Sequence, residues 1–311
     1  MADWSLSTPV AFIIFNRPDT TEKVFAEIAR ARPPKLLVIA DGPRATRAGE
    51  AERCAATRAI IGRVDWACEL LTNYSDVNLG CKNRVASGID WVFEQVPEAI
   101  ILEDDCLPHP TFFRFCEELL DRYRDDERIS QIGGTNFQFG RNSAKASYYF
   151  SRYNHIWGWA SWRRAWRNYD RNAAIWPKMR DERRLRTVVP KAGEQRFWSG
   201  VFEAVYRGRI DTWDLQWVLA SWAQGMVSVI PEVNLVSNIG FGNNATHTHG
   251  ASIYAAMDVS PVAFPLRHPQ IVLPDFEADA RTAKGMFSDS LIARVMRKVQ
   301  GLARKGRASA Q

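Results

Sequence analysis

Residues 97–120, PEAIILEDDCLPHPTFFRFCEELL, decide the fold. A short apolar run, Ile100-Ile101-Leu102, delivers Glu103, Asp104 and Asp105 in succession. Pro108 and Pro110 then bracket a turn, and an amphipathic helix follows. An apolar strand that ends in carboxylates just before a helix marks a ligand position in α/β proteins, because the carboxyl ends of parallel strands open into a crevice. A solvated acidic turn would carry the same residues, so the segments on either side must discriminate.

Working toward the N-terminus, residues 9–15, PVAFIIF, read as a buried strand, and Asn16-Arg17-Pro18-Asp19 as the turn into a helix over about 20–31, capped by Asp19 or Thr20. A second strand over 35–40, KLLVIA, ends in Asp41-Gly42-Pro43. A helix over about 48–62, a third strand over 66–72 and a polar turn from Asn78 to Arg84 leading into a helix through about 94 complete this half. Strands that are apolar throughout and alternate with helices imply a parallel sheet covered on both faces. The polar strand ends all fall on one edge, which is therefore the expected nucleotide side. Neither GxGxxG nor GxxxxGK[ST] follows a strand, so the classical dinucleotide and phosphate-loop sites are excluded.

Toward the C-terminus the pattern changes. Residues 129–137 read as strand plus turn and 148–153 as a strand, and 157–166 hold four tryptophans in ten positions. The arginine-rich 178–189 region is expected to be helical and exposed. Residues 213–224, WDLQWVLASWAQ, predict a helix with a tryptophan stripe, and 226–230 a strand. A basic amphipathic helix is expected over about 288–303, with Leu291, Ile292, Val295, Met296, Val299 and Leu302 near one face.

The chain of 311 residues can bury a large core, and its 46% hydrophobic and 24% charged residues are ordinary for a globular protein. No apolar run approaches the roughly 20 residues that a bilayer crossing needs, and no leader-like segment opens the chain, which predicts a cytoplasmic location. The five cysteines form no CxxC pair, against both a disulfide scaffold and a cysteine zinc site. The net charge of +6 is gathered in 163–196 and 294–305. Without a zinc-finger spacing, an RNP-like strand or a GXXG loop, nucleic acid is not the expected partner. A peripheral contact of the C-terminal helix with an anionic membrane is compatible with its pattern, as is plain domain packing.

Asp104 and Asp105 are hard oxygen ligands, suited to Mg2+ or Mn2+ rather than zinc, and such an ion is commonly held by one or two carboxylates plus diphosphate oxygens. Adjacent residues on an extended segment point in opposite directions, so Asp105 is read as the direct ligand, with Asp104 and Glu103 bonding to ribose, sugar hydroxyls or metal-bound water. Lys82 and Arg84, at a strand-to-helix turn, are candidates to neutralise phosphate. His247 and His249 alternate, so both face one side of an extended segment, where His249 is a candidate second metal contact. His155, Trp157, Trp159 and Trp213 are candidates to line an acceptor site, since indole faces stack on the apolar faces of sugar rings. Asp214 sits at a helix start, where exposed N–H groups and the helix dipole favour the ionised form, and an ordinary capping role is the competing reading.

Ile101-Leu102-Glu103-Asp104-Asp105 with Pro110-Thr111-Phe112-Phe113 resembles the acidic metal motif and following helix of GT-A fold glycosyltransferases, most of all the inverting N-acetylglucosaminyltransferase I group. The likeness takes in Asn16-Arg17, Asp41, Trp213-Asp214 and Ile230-Pro231-Glu232 running into Gly242–Gly250. It covers roughly residues 9–250 and is shared with bacterial sugar transferases of surface-polysaccharide pathways. It implies an α/β fold with a Rossmann-like, mostly parallel sheet: a nucleotide-sugar half over 1–125, an acceptor and catalytic-base half over 126–265, and an extension over 266–311. It further implies that Arg17 meets the donor diphosphate, Asp41 the nucleobase and Asp105 the metal, with Asp214 as catalytic base and a UDP-sugar as donor. The family's second acid after the base is Leu215 here, which leaves donor sugar and acceptor open. The expected function is inverting, metal-dependent transfer to a hydroxyl of a glycan or lipid-linked saccharide. The competing readings are a metal-dependent nucleotidyltransferase or nucleotide-sugar hydrolase, which needs no Asp214, and a noncatalytic carbohydrate-binding protein, which needs only the tryptophans.

Overall fold

Two apolar segments, Val10–Ile14 (β1) and Lys35–Ala40 (β2), lie side by side and parallel in a computed structural model that describes residues 4–141, 146–240 and 256–286. Nearly every side chain of both is buried, as expected of strands covered on two faces. The remaining strands are Glu69–Tyr74 (β3), Glu98–Glu103 (β4), Cys106–Pro108 (β5), Ile129–Gly133 (β6), Tyr148–Ser151 (β7), Trp159–Trp162 (β8), Val227–Pro231 (β9) and Val236–Asn238 (β10). Eight of these ten strands form one sheet in the order β3-β2-β1-β4-β8-β6-β9-β7, and β5 and β10 pair separately. β3, β2, β1 and β4 are mutually parallel; β8 opposes β4 and β6, β9 runs with β6, and β7 opposes β9. The sheet therefore passes through both halves of the chain, as a mixed α/β domain with helices flanking a central sheet.

The helices are Pro18–Ala31 (α1), Glu50–Ile60 (α2), Gly80–Gln95 (α3), Thr111–Arg122 (α4), Arg163–Trp166 (α5), Trp176–Asp181 (α6), Leu185–Val188 (α7), Ala192–Tyr206 (α8), Asp214–Ala223 (α9) and Phe276–Met286 (α10). α1 starts earlier than expected, and neither Asp19 nor Thr20 caps it. Pro18 occupies its first turn, where a missing N–H costs nothing, and Thr21 Oγ1 donates to the Arg17 carbonyl at 2.7 Å. α4 presents Phe112, Phe113, Phe115, Cys116, Leu119 and Leu120 to the core at helical spacing.

Three expectations need correction. The third strand lies over Glu69–Tyr74 rather than 66–72, and Trp66 is instead a buried anchor whose Nε1 donates to the Pro33 carbonyl at 2.9 Å. The 178–189 region is not one exposed helix: it breaks at Arg183, where φ is 54°, and Met179, Leu185 and Val189 enter a second core with Trp176, Trp198, Phe202 and Trp222. α8 and α10 and the short β5–β10 ribbon are additions to the expected elements. The amphipathic helix expected over 288–303 lies outside the described residues. Among the described residues no helix is long and apolar enough to cross a membrane.

α10 is fastened by a buried carboxylate. Asp279 accepts from Ser151 Oγ at 2.6 Å and from the Arg152 N–H at 3.2 Å. Burial pushes its pKa up to about 6 from an ordinary 3.8, against the opposing pull of Ser151 and Arg152. The native state thus binds a proton more tightly than the unfolded chain, so this contribution to stability is full below about pH 4 and is lost as pH rises through about 6. Asp279→Asn keeps the shape without the titration. Denaturant unfolding is expected to show the wild type losing stability relative to this variant between pH 4 and pH 7, and a pH-independent difference would contradict the assignment.

Candidate active site

The chain leaves β1 for β2 on one side and, after β3, returns to β4 on the other, so the carboxyl ends of β1 and β4 diverge. That divergence is where open α/β sheets hold ligands. A cavity of about 480 Å³ opens there, lined by Phe15 and Arg17 after β1, Asp41 after β2, Glu103, Asp104 and Asp105 at the end of β4, the start of α3, the segment 211–214 before α9, and Asn238 and Gly240 after β10.

Asp104 closes the junction: its Oδ2 accepts the Phe15 N–H at 3.0 Å, tying β4 to β1. Burial pushes its pKa up to about 7; Arg17 opposes that shift and Asp105 adds to it. Arg17 Nη1 donates to Asp105 Oδ2 at 2.6 Å and stands 3.6 Å from Asp104 Oδ1. Burial alone would lower the Arg17 pKa, but Asp104 and Asp105 more than reverse this. Burial first, then Asp105, Asp104 and Asp214, push Glu103 well above the usual carboxylate range, and its buried Oε1 has no hydrogen-bond partner among the described residues. Carboxylates thus crowd one wall of the cleft, with Arg17 paired to Asp104 and Asp105, an arrangement that favours binding a further cation.

Asp105 is fixed through its backbone. β5 pairs antiparallel with β10, and the Ile239 N–H then donates to the Asp105 carbonyl at 2.8 Å. This brings Gly240 against the side chain, where an added Cβ would stand 2.2 Å from Asp105 Oδ2. Gly240→Ala must therefore displace the carboxylate. If the cleft takes the UDP and Mn2+ that the sequence resemblance implies, Gly240→Ala is expected to weaken that binding by about tenfold, about 1.4 kcal/mol, as read by calorimetry; unchanged affinity would contradict a role for the Asp105 carboxylate.

Asp214, the first residue of α9, lines the same cavity, lies near enough to Glu103 to contribute to its raised pKa, and makes no capping bond. It accepts a short hydrogen bond from Thr212 Oγ1. Trp213 packs beside it, stacked on Trp159 with ring centroids 5.7 Å apart.

Several sequence candidates are occupied by structural bonds. Asp41 lines the cavity, but its carboxylate accepts the Gly42, Leu79 and Gly80 N–H groups and the Asn78 side chain at 2.9–3.2 Å, so it organises the α3 entry turn. Arg84 lines the cavity as well, and it is largely engaged already: Nε donates to the Ala40 carbonyl and Nη2 to the Asn73 carbonyl and Oδ1, tying strand ends together. The Lys82 side chain does not line the cavity, and its N–H is taken by Asp211 Oδ1 at 3.0 Å. His155 is buried 4.6 Å from the Phe137 ring, and its pKa is pushed down by burial to about 3, which keeps it neutral. Trp159 is fully buried among Trp166, Trp213 and Trp217. His155 and Trp159 are therefore core, whereas Trp157 and Trp213 reach the cavity. His247 and His249 lie outside the described residues.

Sequence reasoning missed Asp211, Thr212 and Arg44. Arg44 lines the cleft, held against the buried Glu50 carboxylate, which also accepts Asn16 Nδ2 at 2.8 Å. None of the three carries a motif spacing, but each lies within a few residues of a singled-out aspartate, and scanning such neighbours for polar partners would have found them.

Among the described residues no group of three or more His, Cys, Asp and Glu side chains is placed so that it could hold a metal ion by itself. The donor set nevertheless fits a hard, water-retaining divalent ion: the carboxylates supply oxygen only, and Asp105 Oδ1 has the Cys106 thiol at 3.5 Å as its hydrogen-bond contact while Arg17 holds Oδ2. Compared with known proteins, the chain matches no protein-family model and no curated protein sequence.

Proposed function

We propose that the chain is an inverting, divalent-metal-dependent glycosyltransferase of the GT-A type, moving a sugar from a nucleotide diphosphate, UDP by preference, to a hydroxyl of a glycan or lipid-linked saccharide. The observation that carries this reading is the convergence of Arg17, Asp104, Asp105 and the sequence-remote Asp214 on one cavity at the sheet's switch point. A carbohydrate-binding module needs no buried carboxylate wall. A nucleotidyltransferase needs that wall but not the sequence-remote Asp214 in the same cavity.

In this reading Asp105, with Glu103 beside it, would hold Mn2+ or Mg2+, and such an ion would supply positive charge for the leaving diphosphate. Arg17 lies within reach of the same phosphate oxygens and supplies a second positive charge. Asp214 accepts the proton of the acceptor hydroxyl as its oxygen bonds to the anomeric carbon from the face opposite the diphosphate. The bond from that carbon to the diphosphate oxygen breaks and its electron pair leaves with the diphosphate, so the configuration inverts without a covalent enzyme intermediate. Trp157 and Trp213 offer apolar edges for sugar rings. A cytoplasmic enzyme of bacterial surface-polysaccharide synthesis, touching the inner membrane face, is the setting that agrees with this acceptor class.

The test is a thermal-stability screen of nucleoside diphosphates with and without Mn2+, since a ligand of the native state raises apparent stability. UDP with Mn2+ is expected to raise the melting temperature more than either alone; no nucleotide effect under any condition would refute the reading.

A further inference from the structure

The segment that carries Asp214 into the cleft is held at each residue. Asp211 Oδ1 accepts the Lys82 N–H at 3.0 Å, which straps the segment to the first turn of α3. The Thr212 carbonyl accepts Gln216 Nε2 at 2.7 Å, and the Trp213 carbonyl accepts the Tyr169 hydroxyl at 3.1 Å. With the backbone fixed, the freedom left to Asp214 is rotation of its own side chain. The Thr212 hydroxyl restrains that rotation by donating to Asp214 Oδ1, and among the described residues the carboxylate accepts no other hydrogen bond.

We propose that Thr212 is a positioning residue for the base: by holding Oδ1 it presents Oδ2 to the acceptor hydroxyl. The inference rests on Asp214 being the base. A hydroxyl is required because a base must sit within about 2.6–3.2 Å of the proton it takes, and displacement of about 1 Å can cost on the order of 100-fold in rate. The Thr212 side chain bonds to Asp214 and not to Arg17 or Asp105, so the affinity for donor and ion is expected not to depend on it.

The experiment measures Mn2+-dependent UDP release from a panel of UDP-sugars, with water as the acceptor, for wild type, Thr212→Val, Thr212→Ser and Asp214→Asn, alongside calorimetric binding of UDP. Thr212→Val is expected to lower kcat by about 10- to 100-fold, with KM for the donor and Kd for UDP within about twofold, a split that misfolding would not give. Thr212→Ser, which restores the hydroxyl without the methyl, is expected to recover most of the rate. Wild-type kcat in Thr212→Val beside an inactive Asp214→Asn would overturn this inference alone, as would equal losses in the Val and Ser variants. Wild-type kcat in Asp214→Asn, or no release by the wild type from any UDP-sugar, would overturn the parent reading and the inference with it.

Discussion

Asp214→Asn is expected to lower sugar transfer by about 10²- to 10⁴-fold, the range that a positioned general base contributes, while UDP and Mn2+ bind as they do to the wild type. The argument is geometric. Asp214 stands at the start of α9, lining the same cavity as the β4 acids, and its Thr212 partner can equally donate to an asparagine Oδ1. The substitution removes basicity without removing the hydrogen bond that orients the group. Steady-state transfer and calorimetry on the same preparation check it. A loss of nucleotide affinity equal to the loss of rate would place Asp214 in donor binding instead.

Asp105→Asn is expected to fail at the opposite step. The Ile239 N–H holds Asp105 through its carbonyl, which the substitution leaves in place, so the cleft should keep its shape. The negative charge that faces Arg17 and would hold the ion is lost. Mn2+-dependent UDP binding is expected to weaken by at least 30-fold, about 2 kcal/mol, with metal-independent binding through Arg17 retained or improved. Titration with UDP at fixed Mn2+, and again with a chelator, separates the two; equal affinity of wild type and variant would contradict the metal assignment.

The first 120 residues were legible because β1, β2 and β4 are buried on both faces and read as continuous apolar runs between turn residues. β3 slipped in register because it is the sheet's edge, where Glu69, Leu70 and Thr72 are exposed and the apolar signal fades into the preceding coil. α8 was missed because Gly193 and Gly200 interrupt a pattern that its tertiary contacts with the second core sustain. At the site, a sequence shows which residues carry charge but not which charges are already used. Arg17, Asp41, Arg84, Asp105 and Asp214 all line the cavity, but Asp41 and Arg84 spend hydrogen bonds on the α3 turn and the strand ends. The tryptophans divide for a related reason: Trp159 lies on a strand buried on both faces, and Trp157, two residues earlier in a bend, does not. Composition alone cannot separate them.

The account stands on a divalent ion and a pyrophosphate meeting between Arg17 and Asp105, within the same cavity as Asp214. Crystals of the protein grown with UDP and Mn2+, with data collected at the manganese absorption edge, measure this directly. The expected result is one anomalous peak within bonding distance of an Asp105 carboxylate oxygen and beside the bound diphosphate, in the cavity that Asp214 also lines. Bound nucleotide elsewhere, or a manganese peak away from Asp105, would contradict it.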